Sequence, residues 1–275
     1  MRYFILCFCI ILTISTGHAR AQSEIKDTPR TLENLFSRLS KYPSDNDRLR
    51  INDSIRSIID SYVRSDTVLK HRFNNIRNLG QITSPDNLIK IVTWNLVLDS
   101  GQSRYYCYFI RKAERGKINK VYALSAPYRD EPIRTDTIYY QKNWYGALYY
   151  DIKPCPTDNN ISWVLLGINY SNPLVSTKMI DVLSFTPEDS IIFGRKWFVT
   201  GEDVRFRDVF QYSSTGIMSL RFKTDKSIIF DHLVPISPEY ANDRQYYGSH
   251  YSFDAYNFKN GLWKLSVNVD VRNKK

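Results

Sequence analysis

The 275-residue chain is 43% hydrophobic and 24% charged, the balance of a globular protein, which excludes disorder, collagen-like repeats and a multi-span membrane protein. Its net charge of +10 is basic without being extreme, and it is spread along the chain rather than gathered as in a nucleic-acid-binding domain.

At the N-terminus, Arg2 precedes an apolar run from Phe4 to Leu12, and Ala19-Arg20-Ala21 forms a small-x-small cleavage site. Residues 1–21 are therefore read as a signal peptide cut before Gln22. The run is far shorter than the ~20 apolar residues a spanning helix needs, so no transmembrane segment is expected after cleavage. Cys7 and Cys9 leave with the signal. The exported chain keeps 254 residues, with 36 basic and 28 acidic side chains.

Residues 22–84 read as a helical N-terminal region. Leu32, Leu35, Phe36 and Leu39 recur at helical spacing with Thr31 placed as a cap, and Pro43 ends the segment. Ile51, Ile55, Ile58, Ile59 and Tyr62 give a second one-sided helix. Asp66 is expected to start a third piece through Leu69, Phe73 and Ile76, ended by Gly80. Ser84-Pro85-Asp86-Asn87 then marks the junction to a domain over residues 85–275, where the period changes from 3.6 to 2.

Strands are expected at 88–98, 104–112, 118–125, 145–153, 161–170, 178–185, 191–199, 205–213, 216–223, 227–233, 251–258 and 262–271. Asp99-Ser100-Gly101, Glu114-Arg115-Gly116, Thr224-Asp225-Lys226 and Asn260-Gly261 read as hairpin turns, as does Tyr212-Ser213-Ser214-Thr215-Gly216. Little room exists for crossover helices, so the fold class is α+β and mainly antiparallel β: a twisted sandwich, open barrel or meander with a short helical N-terminal region. Segments such as Ile161 to Ile168 carry apolar residues on both faces, which argues against an outer-membrane barrel with one clean lipid-facing side.

Cys107 and Cys155 remain after export, and in an oxidising compartment they either pair as a disulfide or sit as two buried thiols. The local basic run is Arg104, Arg111, Lys112, Arg115, Lys117 and Lys120 against Glu114, a solvated hairpin tip or a contact for a polyanion. His232 and His250, with Asp231 and Asp254, are the residues from which a metal site could be drawn, but they lack the tight spacing of a zinc motif, and none is assigned. Alternation points Asp231 away from His232. There is no nucleophile elbow, P-loop or dinucleotide fingerprint, and no cofactor is expected.

Tyrosine is abundant, at 20 residues. One run holds Tyr139, Tyr140, Trp144, Tyr145, Tyr149 and Tyr150; a second holds Tyr240, Tyr246, Tyr247, Tyr251 and Tyr256. An apolar ring with a polar tip suits both stacking on sugars and anchoring a protein. The turn-rich 238–252 segment is the expected exposed contact, through Tyr246, Tyr247, His250 and Tyr251.

The strings Tyr145-Gly146-Ala147-Leu148-Tyr149-Tyr150, Ile180-Asp181-Val182-Leu183-Ser184-Phe185, Met218-Ser219-Leu220-Arg221-Phe222, Phe230-Asp231-His232-Leu233 and Asp270-Val271-Arg272-Asn273 resemble an uncharacterised family of exported proteins from Bacteroidota-type bacteria. The resemblance covers the β part and implies an envelope or secreted setting and a β-rich fold, without an activity. The family's acidic, glycine-rich turn after Leu166-Gly167 is replaced here by Ile168-Asn169-Tyr170-Ser171-Asn172. Asp53-Ser54-Ile55, Asp66-Thr67-Val68, Asp136-Thr137-Ile138 and Asp189-Ser190-Ile191 are similar to the short O-glycosylation triplet of those bacteria. The expectation is an exported, non-catalytic protein, periplasmic, outer-membrane-associated or extracellular, that binds a glycan or envelope protein and no nucleic acid. The alternatives are a secreted hydrolase acting on glycans or peptides and a structural subunit of an envelope assembly.

Overall fold

The computed structural model describes residues 28–41, 44–129, 131–156 and 161–270. The expected signal peptide, with Cys7 and Cys9, lies outside these residues, as do Pro43 and positions 271–273 of the last family-like string.

The chain divides into two compact units. The first is helical. Helix α1 spans 28–39 and buries Leu32 and Phe36, so Thr31 lies within its first turns rather than capping it. Helix α2 is Asp45–Val63, and Ser44 caps it: its hydroxyl accepts from Asp47 N–H at 3.2 Å and donates to the Asp47 carboxylate at 2.6 Å. Ile51, Ile55 and Ile59 form its buried stripe. The expected third helix is absent among the described residues. Residues 64–70 make turns, and Asn75 and Asn78 adopt left-handed φ of 63° and 67°, which a continuing helix does not tolerate.

The second unit takes in Val63–Lys70 and the described residues from Leu79 onward. Val68 is buried, and the buried Lys90 ammonium donates to its carbonyl at 2.8 Å. The boundary at 84 is corrected accordingly: Gly80–Thr83 is strand β1, antiparallel to β2 (Ile89–Val97), and Ser84–Asn87 is the turn between them, with Asn87 at φ 57°. With β3 (Ser103–Arg111) and β4 (Lys120–Ala126) these strands form a four-stranded meander.

A second sheet contains β5 (Tyr139–Tyr140), β6 (Leu148–Pro156), β7 (Ile161–Asn169), β8 (Val175–Phe185) and β9 (Ile191–Phe193) in the order β5-β9-β8-β7-β6. Strand β12 (Asp208–Ser213) also pairs with β8. The third sheet has β10 (Phe198–Thr200), β11 (Asp203–Arg205), β13 (Leu220–Thr224), β14 (Ser227–Pro235), β15 (Tyr247–Lys259) and β16 (Leu262–Val269) in the order β11-β10-β16-β15-β14-β13. All pairings are antiparallel except β10 with β16. Because β12 and β13 belong to different sheets, the turn at Tyr212–Gly216 carries the chain between sheets and is not a hairpin.

Two cores lie on the two faces of the second sheet. Trp163 and Leu165 of β7 join Met179 and Leu183 of β8 against Ile91 and Phe109 of the first sheet. Their sequence neighbours Val164, Leu166, Ile180 and Val182 face Ile228, Tyr256 and Trp263 of the third. A strand buried on both faces needs apolar residues at consecutive positions, which is why Ile161 to Ile168 lacks alternation. The result is an α+β protein whose β unit is a stacked antiparallel sandwich. No helix among the described residues is long and apolar enough to cross a membrane.

Cys107 and Cys155 are both buried and free. They lie in different cores, Cys107 in the first and Cys155 in the second, so of the two expectations the structure holds the buried thiols.

Candidate functional site

Asn260 and Gly261, at φ 53° and 79°, supply the left-handed pair that a two-residue hairpin requires and so register β15 against β16. Two irregularities then interrupt the third sheet at the same level. Asp231 pairs with Phe253 and Leu233 with Ser249, so His232 alone stands opposite His250, Tyr251 and Ser252. Phe253 pairs with Val269 and Ala255 with Ser266, leaving Asp254 opposite Val267 and Asn268. Asn268 takes φ 54°, and its N–H donates to Asp254 Oδ1 at 3.0 Å. The other carboxylate oxygen lies 2.7 Å from His232 Nδ1.

The bulge sets what this surface presents. Tyr251 is 100% exposed, with the exposed His250 ring 5.8 Å away; Val267 and Ile217 are further exposed apolar side chains of the third sheet's strands and the turn before β13. His250 Nδ1 lies 3.3 Å from Ser252 Oγ, and the His232 and His250 rings are 6.5 Å apart. Asp231 points the other way, as alternation requires, accepting from Ser219 N–H at 2.8 Å and from Ser249 Oγ at 2.9 Å. The four residues from which a metal site could be drawn are thus split, and among the described residues no three His, Cys, Asp or Glu side chains are grouped to hold an ion.

The 238–252 segment is only partly a loop. Pro238–Tyr240 and Arg244–Tyr246 are single 3-10 turns, and from Tyr247 the chain is strand β15 paired with β14. Tyr246 packs its ring 4.1 Å from that of Tyr240. Tyr247 donates to the Ala241 carbonyl at 2.6 Å, lies under the Arg244 guanidinium at 4.2 Å and packs on the second core. Tyr246 and Tyr247 are half-buried and hold the segment in shape, whereas His250 and Tyr251 face solvent.

In the other tyrosine run Trp144, Tyr145 and Tyr149 are absorbed into the first core and Tyr139 packs against it, while Tyr140 and Tyr150 are exposed. Trp144 donates to the Tyr149 hydroxyl at 3.0 Å, Tyr149 and Tyr145 share a hydrogen bond of 3.0 Å, and Tyr145 donates to Asp181 at 2.6 Å. The turn after Gly167 is closed by its own asparagines. Asn169 bonds the Gly146 carbonyl and Ser171 N–H, both at 2.7 Å, while Asn172 accepts from Leu174 N–H at 2.8 Å.

At the β3–β4 hairpin, Gly116 turns the chain at φ 84° and Lys117 pairs with Glu114 at 2.6 Å. Arg111 and Lys120 both bind Asp189 in the β8–β9 turn, and Tyr122 donates to it at 2.9 Å. Burial opposes ionisation of Asp189, but Lys120, Tyr122 and Arg111 outweigh it and hold the carboxyl below its ordinary range. The basic run is therefore partly neutralised across sheets, a pairing with no local sequence signal.

Comparison with protein-family models, with curated proteins and with solved structures finds no match.

Proposed function

We propose that this is an exported, non-catalytic binding protein that takes a glycan or protein partner in the envelope or extracellular space at the β14–β15 bulge. The observation that carries this reading is Tyr251, fully exposed on a bulge whose flanking residues stay in register with β14. A ring on a short bulge anchored at both ends by paired backbone loses less freedom on binding than one on a free loop, and its face and hydroxyl suit both a sugar and a protein hot spot. His250 supplies polar contacts beside it. The test is a thermal-shift screen of a glycan panel, repeated with a Tyr251→Ala/His250→Ala variant. A ligand at ~100 times its Kd adds about 2.7 kcal/mol to the wild type, and the variant should lose that shift while keeping its own Tm. A shift that survives in the variant takes this surface out of the reading.

A secreted hydrolase is the second reading, favoured by the 2.7 Å contact that orients His232 through Asp254, the arrangement that fixes an imidazole as a general base. Turnover of a glycan or peptide panel that disappears in His232→Ala would establish it. Protein that binds without turnover supports the first.

A further inference from the structure

A cleft of about 480 Å³ opens where the ends of β3, β7 and β8 meet the loop after β9, a size within the range of small-molecule sites. Three cationic side chains line it, Arg111, Lys112 and Arg195, and no carboxylate of the described residues does. The two arginines are held in place. Arg111 rests over the Phe185 ring at 4.4 Å with Nη1 on Asp189, and Arg195 lies over Trp197 at 4.3 Å with Nη1 donating to Ser162 Oγ at 3.2 Å. Each guanidinium keeps further N–H donors beyond those bonds. Lys112 is fixed at its backbone, where N–H donates to the Leu88 carbonyl at 2.8 Å, while its side chain is exposed and makes no ion pair among the described residues. Asp86 holds the Trp163 indole behind the wall at 2.9 Å and also accepts from Leu88 N–H at 3.0 Å and from the Ser84 hydroxyl.

Asp189 on Arg111 and Asp86 behind Trp163 offset about two of the three charges, so an excess near one remains. Pre-set arginine forks match a tetrahedral oxyanion bidentately, and a lysine adds a point charge. The apolar side chains of Leu88 and Ile161 give the body of a ligand a surface to lie on. We infer that this cleft binds a phosphomonoester, carried on a sugar or on a lipid headgroup. The site is separate from the Tyr251 surface and does not depend on it.

Calorimetric titration of the purified protein with glucose 6-phosphate and inorganic phosphate, with co-sedimentation on phosphatidylcholine vesicles with and without phosphatidic acid, tests the inference. Saturable binding to glucose 6-phosphate assigns the sugar source; enrichment on phosphatidic acid vesicles alone assigns the headgroup. In either case Lys112→Glu should weaken binding at least about tenfold, Lys112→Arg should keep it within about threefold, and added salt should weaken the wild type. The lysine is exposed, so both variants should fold with unchanged Tm. Absence of binding in every arm, or Lys112→Glu binding as tightly as the wild type, overturns the inference.

Discussion

Asp181 and Arg207 form an ion pair of 3.0 Å in which neither side chain has any solvent exposure. Arg207 uses three further donors on backbone: Nη1 reaches the Arg134 and Thr137 carbonyls at 2.6 and 2.8 Å, and Nη2 the Phe193 carbonyl at 2.9 Å. Tyr139 stacks against the guanidinium at 4.6 Å. One side chain thus ties the 134–140 stretch to β8 and to the end of β9. Asp181 in turn accepts from Tyr145 and from Val182 N–H.

Replacing Arg207 by Met leaves a buried carboxylate and three carbonyls without their partner. The expected cost is about 3–5 kcal/mol in urea denaturation. Hydrogen exchange should also speed up across 134–140. Adding Asp181→Asn to the variant should restore part of the loss, because the uncompensated charge goes with it.

Gly146 and Gly261 share a left-handed backbone, at φ 81° and 79°, and differ in surroundings. A Cβ at Gly261 meets nothing within 4 Å, whereas one at Gly146 would come within 2.8 Å of the Tyr105 ring and 3.0 Å of Ala126. Gly261→Ala should therefore cost about 1 kcal/mol from backbone strain alone. Gly146→Ala adds overpacking against a buried ring and should cost about 3 kcal/mol or more. Equal losses in the two variants would show that Tyr105 yields without penalty.

The thiols give a chemical readout of the two cores. Burial pushes the Cys107 thiol well up and raises Cys155 to about 11. For Cys155 that leaves roughly a hundredfold less thiolate near neutral pH than an ordinary cysteine, and the thiolate is the reactive form. Iodoacetamide at pH 8 should leave both residues unlabelled in the native protein. In denaturant without reductant, the peptides spanning Cys107 and Cys155 should both be labelled. Peptides that stay unlabelled until reductant is added would mean that the two sulfurs pair after all.

The strand positions and the antiparallel class were readable in outline because period-2 runs and turn residues are local signals, whereas the order of strands within the three sheets was not. Asn260-Gly261 and Gly116 mark their hairpins directly. What misled was chemistry shared between local and distant roles. Asp66 looks like a helix cap, yet the chain after it is turned by Asn75 and Asn78, and Val68 is drawn into the β unit. Ser84–Asn87 reads equally as an inter-domain turn and as the β1–β2 turn it is. At the site, exposure of Tyr251 depends on a three-for-one bulge that no residue type announces. The contact between His232 and Asp254 joins residues 22 apart through that same bulge, and Asp189 reaches Arg111 across 78 positions.

Asp208 and Asp189 should respond to pH with opposite sign. Asp208 is buried, and burial raises its carboxyl above the ordinary 3.8 even though Tyr256, Arg205 and Val209 N–H bond to the charged form. The folded state then binds this proton more tightly than the unfolded state. Its contribution is full below the ordinary carboxylate range and is lost as pH rises through the raised folded value. Asp189 is held below 3.8, so its contribution is full above that range and is lost as pH falls through the depressed value. Urea unfolding of Asp208→Asn and Asp189→Asn against the wild type, at steps from pH 3 to pH 7, separates the two. The advantage of the wild type over Asp208→Asn should shrink with rising pH, and its advantage over Asp189→Asn should grow. An advantage over Asp208→Asn that grows with pH would mean that Tyr256 and Arg205 outweigh burial at that site.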